Sequence, residues 1–282
     1  MSFPVTIDST NYSSPSVFKV NLANTTDLSP FDVSVGSALI PYSWDSINAS
    51  PLNNNKFQLT IPTSGASVVT TITIPDGAYQ VSDLNSYLQW WFIANGYYLV
   101  NSTTGVNTYY AAFVVSATSY SVQFITTPLP TSLPAGYTSG GMTFPAGANQ
   151  HIQITMLAAS NFNLIVGYTQ SGTYPTLPTN VGVQTKNSDF APIVNPISAV
   201  QMRLSCVSTP FSDNNQLIHL FGKGDTTFGS QIDASPPFNQ PVPCNGSHRE
   251  LTLSFFDQYG SFLNMRDRDI KIKLLFTRRI ER

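Results

Sequence analysis

Charged residues are scarce in this chain of 282 residues. Asp, Glu, Lys and Arg together make up 10% of it, against about 25% in an average soluble protein. The net charge of −2 is too small for the overall field to attract nucleic acid. The hydrophobic share of 41% argues against disorder, because disordered chains combine low hydrophobicity with high net charge. The composition favours a folded protein whose uncharged polar surface faces other proteins or sugars as much as water.

Cysteines, long apolar runs and export signals are also lacking. The two cysteines, Cys206 and Cys244, are too few for a disulfide framework and do not have metal-ligand spacing. No apolar run reaches the length of about 18 residues that a membrane-spanning helix needs. Residues 1–8 contain neither the basic nor the apolar region of a secretory signal. We therefore expect synthesis in the cytoplasm, no membrane span and two reduced cysteines.

The search for catalytic or metal-binding motifs is negative. The sequence contains no Gly-x-Ser-x-Gly, no P-loop and no His-Glu-x-x-His motif. The histidines (His151, His219 and His248) are scattered, and none has a second ligand at suitable spacing. Asp267 and Asp269 could form a calcium site, but an ion-paired hairpin turn explains them with fewer assumptions. We expect no enzymatic activity, no cofactor and no metal site.

Alternation of apolar and polar residues is the strongest positive signal. It is clear in residues 18–22, 57–61, 200–206, 251–255 and 270–276. A period of two places one face of a strand on a core and the other face toward solvent or a neighbour. Because turns rich in Pro, Gly and Asn separate most of these strands, the sequence predicts an antiparallel all-β sandwich or barrel.

One short amphipathic helix is predicted over residues 82–95. Ser82 is a suitable N-cap, and Gly96 is a natural stop. The predicted helix is heavy enough to seal one end of the sandwich, and we interpret its tryptophans as core residues rather than cofactor-stacking residues. Four residues recur at helical spacing and are predicted to face the core: Leu84, Tyr87, Leu88 and Trp91.

Two stretches rich in proline and glycine, residues 126–150 and 171–199, interrupt the strand pattern. They are interpreted as surface loops or an inserted lobe, because strands resume on both sides. We therefore predict one domain over residues 1–282, with an inserted region around 126–199.

The few charges are unevenly distributed along the chain. Residues 84–185 contain no Asp, Glu, Lys or Arg, whereas eight of the 13 basic residues lie from Arg249 onward. The last of these are Arg278, Arg279 and Arg282. This distribution indicates two regions with different surroundings, although a solvated terminus also explains a short basic tail.

Several short motifs occur in a characteristic order, at residues 37–48, 53–57, 72–85, 109–115, 120–124, 129–137, 254–260 and 268–276. In this order they resemble the penton (minor capsid) proteins of virophages and Polinton-like eukaryotic DNA viruses. The resemblance implies an eight-stranded single jelly roll that forms homopentamers at the vertices of an icosahedral capsid. It also implies contact with double jelly-roll major capsid proteins, no enzymatic activity and no cofactor. Residues 138–199 match no part of the family pattern.

The resemblance suggests a role for the uneven charges. The loop-rich region around 126–199, which is uncharged up to residue 185, suits the particle exterior, where it can meet a host receptor or sugar of unknown identity. Arg278, Arg279 and Arg282 suit the interior, near acidic capsid proteins or DNA phosphates. The expected location is the capsid vertex of the virion. Two alternatives stay open: another vertex or cement protein, and a carbohydrate- or receptor-binding sandwich such as a lectin or fibre head.

Overall fold

The computed structural model describes residues 2–116, 118–208 and 216–279. Their strands pair antiparallel throughout, in the sheets described below. The predicted all-β antiparallel class is therefore confirmed. The chain divides into two compact units: unit 1 consists of Met1–Asp45 and Ile197–Arg282, and unit 2 of Ser46–Pro196. No helix in the described residues is both long enough and apolar enough to cross a membrane.

The strands are numbered in chain order over the described residues. They are β1 Ser2–Asp8, β2 Tyr12–Ser14, β3 Val17–Asp27, β4 Phe31–Pro41, β5 Lys56–Ile61, β6 Val68–Thr73, β7 Leu99–Asn101, β8 Asn107–Thr108, β9 Ala111–Ser116, β10 Ser121–Thr126, β11 Tyr137–Ser139, β12 Gln153–Thr155, β13 Thr173–Tyr174, β14 Gln184–Asn187, β15 Val200–Leu204, β16 Leu217–Phe221, β17 Gln231–Asp233, β18 Val242–Pro243, β19 Ser247–Asp257 and β20 Lys271–Arg278. The helices are α1 Val81–Ala94 and α2 Phe162–Val166, and Ser9–Asn11 forms a 3₁₀ turn.

Unit 1 contains two sheets of five described strands each. The first sheet has the order β1-β20-β4-β17, with β18 also paired to β4, and the second has the order β16-β15-β19-β3-β2. Most successive long strands belong to different sheets, so the chain passes repeatedly from one sheet to the other. Two sheets joined by such Greek-key connections form a jelly roll. The short strand β18 lies off the path of the first sheet, whereas the short strand β2 is the last strand of the second sheet.

The core of unit 1 follows from the alternation in its strands. In β19, Leu251, Leu253 and Phe255 are buried, whereas their neighbours in sequence are partly accessible. Phe255 meets Phe18 of β3 edge to face, with ring centroids 6.0 Å apart. Burying one such apolar side chain contributes about 1.5–3 kcal/mol, so these inward rows stabilise the sandwich.

Unit 2 lies between β4 and β15 in the sequence and has its own core. Its described strands form three sheets, with the orders β13-β12-β5-β6, β14-β10-β9 and β11-β7-β8. Aromatic rings fill the centre of this core: Phe57 stacks on Phe162 with centroids 4.7 Å apart, and Phe113 packs against Phe124 at 5.4 Å. These residues belong to a cluster of buried side chains separate from that of unit 1.

The single domain with an insertion around 126–199 stays a prediction beside this division into two compact units. Trp44 belongs to the buried cluster of unit 1, whereas Ile47 belongs to that of unit 2. The second unit thus begins at Ser46, well before residue 126. The sequence did not reveal this boundary because β5 and β6 alternate with the same period as the strands of unit 1.

Helix α1 begins one residue before its predicted start. Its N-cap is Gln80 rather than Ser82, and the Gln80 backbone N–H donates to Asp83 Oδ2 at 2.8 Å. The carboxylate at the third helical position thus caps the helix, where it also opposes the positive end of the helix dipole. At the other end, Gly96 has φ +75°, a conformation that glycine adopts without strain, and follows the C-cap Asn95.

The buried face of α1 is rotated relative to the predicted one. It consists of Val81, Leu84, Leu88 and Phe92. Of the four predicted inward residues, Leu84 and Leu88 are buried, whereas Tyr87 and Trp91 are half-buried against the core of unit 2. The helix therefore buries Phe92, which the spacing analysis did not select, more deeply than Trp91.

Candidate functional site

The C-terminal arginine Arg279 is bonded to unit 1 itself. Its Nε lies 2.6 Å from Asp32 Oδ1, and its Nη2 donates to the carbonyls of Cys244 at 2.8 Å and Phe31 at 3.2 Å. Arg279 reaches these groups because β20 pairs with β4 up to the register Arg278–Phe31. This guanidinium therefore secures the end of β20, and most of its donors are occupied within the chain.

The other two predicted tail arginines differ from Arg279. Arg278 is exposed at the end of β20, and Arg282 lies outside the described residues. Two further exposed basic side chains, Lys271 and Lys273, alternate along β20 with buried apolar residues. Lys271 and Arg278 lie at opposite ends of β20, so the exposed basic side chains of this strand are spread along it rather than gathered at one point.

The turn between β19 and β20 carries an ion pair between an exposed guanidinium and a buried carboxylate. Arg266 Nε lies 2.8 Å from Asp45 Oδ1, and Arg266 Nη2 donates to Asp45 Oδ2 at 3.1 Å. The Asp45 side chain is 1% exposed and that of Arg266 is 49% exposed. The sequence suggested ion pairing within this turn, but the carboxylate that pairs with Arg266 is 221 positions away. No spacing pattern could have revealed that pair.

Asp267 and Asp269 are held by hydrogen bonds within unit 1. Asp267 Oδ1 accepts from the Asp269 backbone N–H at 2.9 Å, and the Asp267 N–H donates to Ser43 Oγ at 3.1 Å. This is the geometry of a side chain that shapes a turn. In the described part of the chain, no three His, Cys, Asp or Glu side chains are grouped to hold a metal ion.

An open cavity of about 570 Å³ lies beside this turn in unit 1. The Arg268 guanidinium lies above the Tyr12 ring, 5.5 Å from its centroid, and Phe228 forms another part of the lining. Guanidinium groups next to aromatic faces suit carboxylate-bearing or planar partners. The cavity can therefore receive an acidic side chain of another protein.

Unit 2 has a smaller cavity of about 310 Å³ with a mixed lining. Val115 and Val194 contribute apolar walls, whereas Ser82, Ser116 and Ser121 contribute hydroxyl groups. Tyr120, which also lines it, is 77% exposed. An uncharged cavity with hydroxyl groups and an exposed ring can contact a small neutral ligand such as a sugar.

Each unit presents an exposed aromatic cluster. In unit 1 the cluster consists of Phe256, Tyr259 and Phe262: the rings of Phe256 and Phe262 are 4.4 Å apart, and Tyr259 is 79% exposed. The Arg203 guanidinium lies 3.9 Å from the Phe256 ring centroid. We call these three residues the β19 aromatic cluster. Aromatic residues and arginine are enriched where proteins contact one another.

The second cluster lies on helix α1. Trp90 is 57% exposed and Ile93 is 42% exposed, and the Tyr87 ring lies 5.4 Å from that of Trp90. We call these three residues the α1 apolar cluster. Trp90 was interpreted from the sequence as a core residue, and its exposure corrects that interpretation. The inward positions of the helix are occupied by Val81, Leu84, Leu88 and Phe92, so the indole of Trp90 is left outside.

The histidines act as structural residues where they are described. His151 is fully buried in unit 2, with Nδ1 2.9 Å from Thr126 Oγ1 and Nε2 3.0 Å from the Asn180 carbonyl. His248 Nε2 lies 2.7 Å from the Asn245 carbonyl. Burial lowers the pKa of His219 below its ordinary value. In the described part of the chain, none of these contacts joins a histidine to a carboxylate, and the hydroxyl beside His151 belongs to the buried Thr126.

Two solved structures resemble this chain over nearly its whole length. The crystal structure of the mavirus penton protein shares 13% sequence identity with a TM-score of 0.47, and 99% of each chain is covered. The structure of the Sputnik virophage by cryo-EM shares 15% identity with a TM-score of 0.41, covering 99% of this chain and 97% of the other. No protein-family model and no curated relative matches the sequence. Because both TM-scores are below 0.5, the jelly-roll assignment depends on the strand order of unit 1.

Proposed function

We propose that this protein is a structural viral capsid protein that forms homopentamers at the icosahedral vertices. The observation that carries the proposal is the strand order of unit 1, in which sheets with the paths β1-β20-β4-β17 and β16-β15-β19-β3-β2 share one buried core. Double-sheet jelly rolls of this kind are typical of viral capsid domains. The order of the motifs along the sequence, which resembles that of virophage pentons, supports the same function.

A pentamer needs contact surfaces that self-associate without strong charge. The β19 aromatic cluster and the α1 apolar cluster supply exposed apolar area, and interface cores are depleted in charged residues and enriched in aromatic ones. A neighbouring subunit would also cover the edge strands β16 and β17, whose unpaired edges expose backbone donors and acceptors. Head-to-tail contact between such surfaces closes into a ring when the rotation between subunits is one fifth of a turn.

The pentamer would contact double jelly-roll major capsid proteins below it. The exposed residue Arg278 suits this inner side, where it meets acidic capsid surfaces or DNA phosphates. Arg279 is left out of this role because Asp32 and two carbonyls already engage it. The loop-rich residues 126–199, which carry no charged side chain before Lys186, face the particle exterior. The protein acts in the virion after synthesis in the host cytoplasm, without enzymatic activity or cofactor.

The decisive experiment is a mass measurement of the purified protein over a wide range of concentrations. We expect a species of five subunits that dissociates on dilution. Phe262→Ser and Trp90→Ser should weaken it, because each removes an exposed ring of one cluster. Val181→Ser is the matched control: Val181 is 79% exposed but lies in the region placed outside the ring. A monomer at every concentration, or equal loss in all three variants, contradicts the proposal.

The orientation is tested by a second set of variants in assembled particles. Arg278→Ser should reduce vertex incorporation in a salt-dependent way while leaving the isolated pentamer intact. Arg279→Ser should instead lower the stability of unit 1, because it breaks the ion pair with Asp32. If trypsin removes the C-terminal arginines from intact particles while antibodies to residues 126–150 fail to bind, the orientation is reversed.

A carbohydrate-binding function is the second candidate, and the cavity of unit 2 is the observation that favours it. In that case the protein would bind glycans whether or not it forms pentamers, and Tyr120→Ala would abolish binding. A glycan array with the parent protein and this variant distinguishes the two functions. Binding that survives Tyr120→Ala would place any sugar site elsewhere.

A further inference from the structure

Two cysteines that the sequence separates by 37 residues meet inside unit 1. Cys206 follows β15 of the second sheet, and Cys244 follows β18 of the first sheet. Their Sγ atoms are 3.4 Å apart. Both residues are free and buried, with 1% and 3% of their surfaces exposed. A thiol pair therefore bridges the two layers of the sandwich.

The backbone around both cysteines is fixed by hydrogen bonds. The Asn245 N–H donates to the Cys206 carbonyl at 2.8 Å, and the Cys244 N–H donates to the Phe31 carbonyl at 3.0 Å. Arg279 Nη2 donates to the Cys244 carbonyl at 2.8 Å. Val207 and Cys244 also form an isolated antiparallel bridge. Because both chain segments are held in register, the two sulfur atoms stay close together.

We propose that Cys206 and Cys244 are a disulfide site that is reduced when the protein is made and closes when the protein meets a disulfide oxidant. A disulfide bond is about 2.05 Å long, so the sulfur atoms must approach by about 1.4 Å. Rotation of the two side chains can supply most of that movement. The proposal concerns a covalent modification of unit 1 and stands apart from the proposed capsid function.

The reaction balances with oxidised glutathione as the oxidant. One cysteine thiolate attacks a glutathione sulfur, which releases one glutathione thiolate and leaves a mixed disulfide on the protein. The second cysteine then attacks the protein sulfur and releases the other glutathione. Two thiols lose two protons and two electrons in total, and one glutathione disulfide becomes two glutathione thiols. No other co-reactant is needed.

Burial makes the disulfide slow to form, but the disulfide should stabilise unit 1 once it has formed. The hydrogen bond with Cys244, together with burial, raises the pKa of the Cys206 thiol, so little thiolate is present at neutral pH. The pair therefore stays reduced in a cytoplasm rich in reduced glutathione. After closure, the bond joins the two sheets and encloses β16 and β17, which are edge strands. The bridge should stabilise unit 1 by restricting the unfolded chain.

The test uses the full-length protein, purified under reducing conditions and then incubated with excess oxidised glutathione. After acid quenching and denaturation, free thiols are alkylated and the intact mass is measured. We expect a chain lighter by two hydrogen atoms, without alkyl groups or glutathione adducts, and a linked 206–244 peptide. We also expect the melting temperature to rise by about 5–10 °C on oxidation.

Two variants control for other effects of the oxidant. Cys206→Ala/Cys244→Ala should show no oxidant-dependent shift in melting temperature, and Cys206→Ala alone should never give the two-hydrogen loss. The parent protein carries the main test, so a variant that fails to fold does not affect it. Two alkylated thiols after prolonged incubation, stable glutathione adducts, or a lower melting temperature after oxidation would each overturn the proposal.

Discussion

Replacing three consecutive residues of helix α1 by alanine tests the placement of that helix. Trp90, Trp91 and Phe92 are all large and aromatic, and alanine changes the helix propensity by a similar amount at each position. Their burial differs: Phe92 is 0% exposed, Trp91 is half-buried and Trp90 is 57% exposed. Differences among the three variants therefore report on packing rather than on helix formation.

The structure sets the expected magnitudes. Phe92→Ala should lower the free energy of unfolding by about 3–5 kcal/mol, because it leaves a cavity in the core of unit 2. Trp91→Ala should cost about 1–2 kcal/mol, since Trp91 is partly accessible but stacks on Tyr97 with centroids 5.7 Å apart. Trp90→Ala should change it by less than about 0.5 kcal/mol.

Urea denaturation followed by tryptophan fluorescence measures this series. Each variant keeps at least one of Trp90 and Trp91, which report on unit 2. Phe92→Leu serves as a control that retains most of the apolar volume, and it should lose less than half as much stability as Phe92→Ala. If Trp90→Ala proves as destabilising as Phe92→Ala, the helix presents a different face and the described packing is wrong.

Two further predictions concern charged groups of unit 1. Arg266→Leu should lower the free energy of unfolding by about 2–3 kcal/mol, because it leaves the nearly buried Asp45 carboxylate unpaired. Asp45→Asn should lower it by only about 1 kcal/mol, because water can hydrate the Arg266 guanidinium. Urea denaturation of both variants and of the double variant measures the coupling between the two residues, and equal losses in the single variants would argue against the pairing. Burial lowers the pKa of His219, so the unfolded state binds more protons and stability should fall as the pH drops below about 6.5. Thermal melts between about pH 5 and 7 should show this slope reduced in His219→Gln, and an unchanged slope would assign it to other groups.

The strands could be predicted from the sequence because a strand with one buried face alternates apolar and polar residues. Residues 200–206 and 251–255 show it, and they lie in or beside β15 and β19. The end of α1 at Gly96 was also predictable, since a left-handed residue favours glycine. These features depend on neighbours within a few positions.

The features that escaped prediction depend on distant residues. The pairing of Arg266 with Asp45 and the meeting of Cys206 with Cys244 require strands that the fold brings together. The face of α1 was misjudged by one position because Trp91 and Phe92 are both apolar, and only the shape of the core decides between them. The boundary at Ser46 left no signal, since both units use the same strand period.

The pairing of β1 with β20 determines the order in which this protein can fold during synthesis. Asp8 pairs with Lys271, and β20 lies between β1 and β4 in its sheet. The ribosome therefore releases β1 and β4 long before the strand that joins them, so their edges stay unpaired for most of translation. Unit 2 ends at Pro196 and can acquire its own core earlier. Nascent unit 1 thus needs protection from premature association through its open edges, and a chain stalled before β20 should aggregate while its unit 2 is already folded.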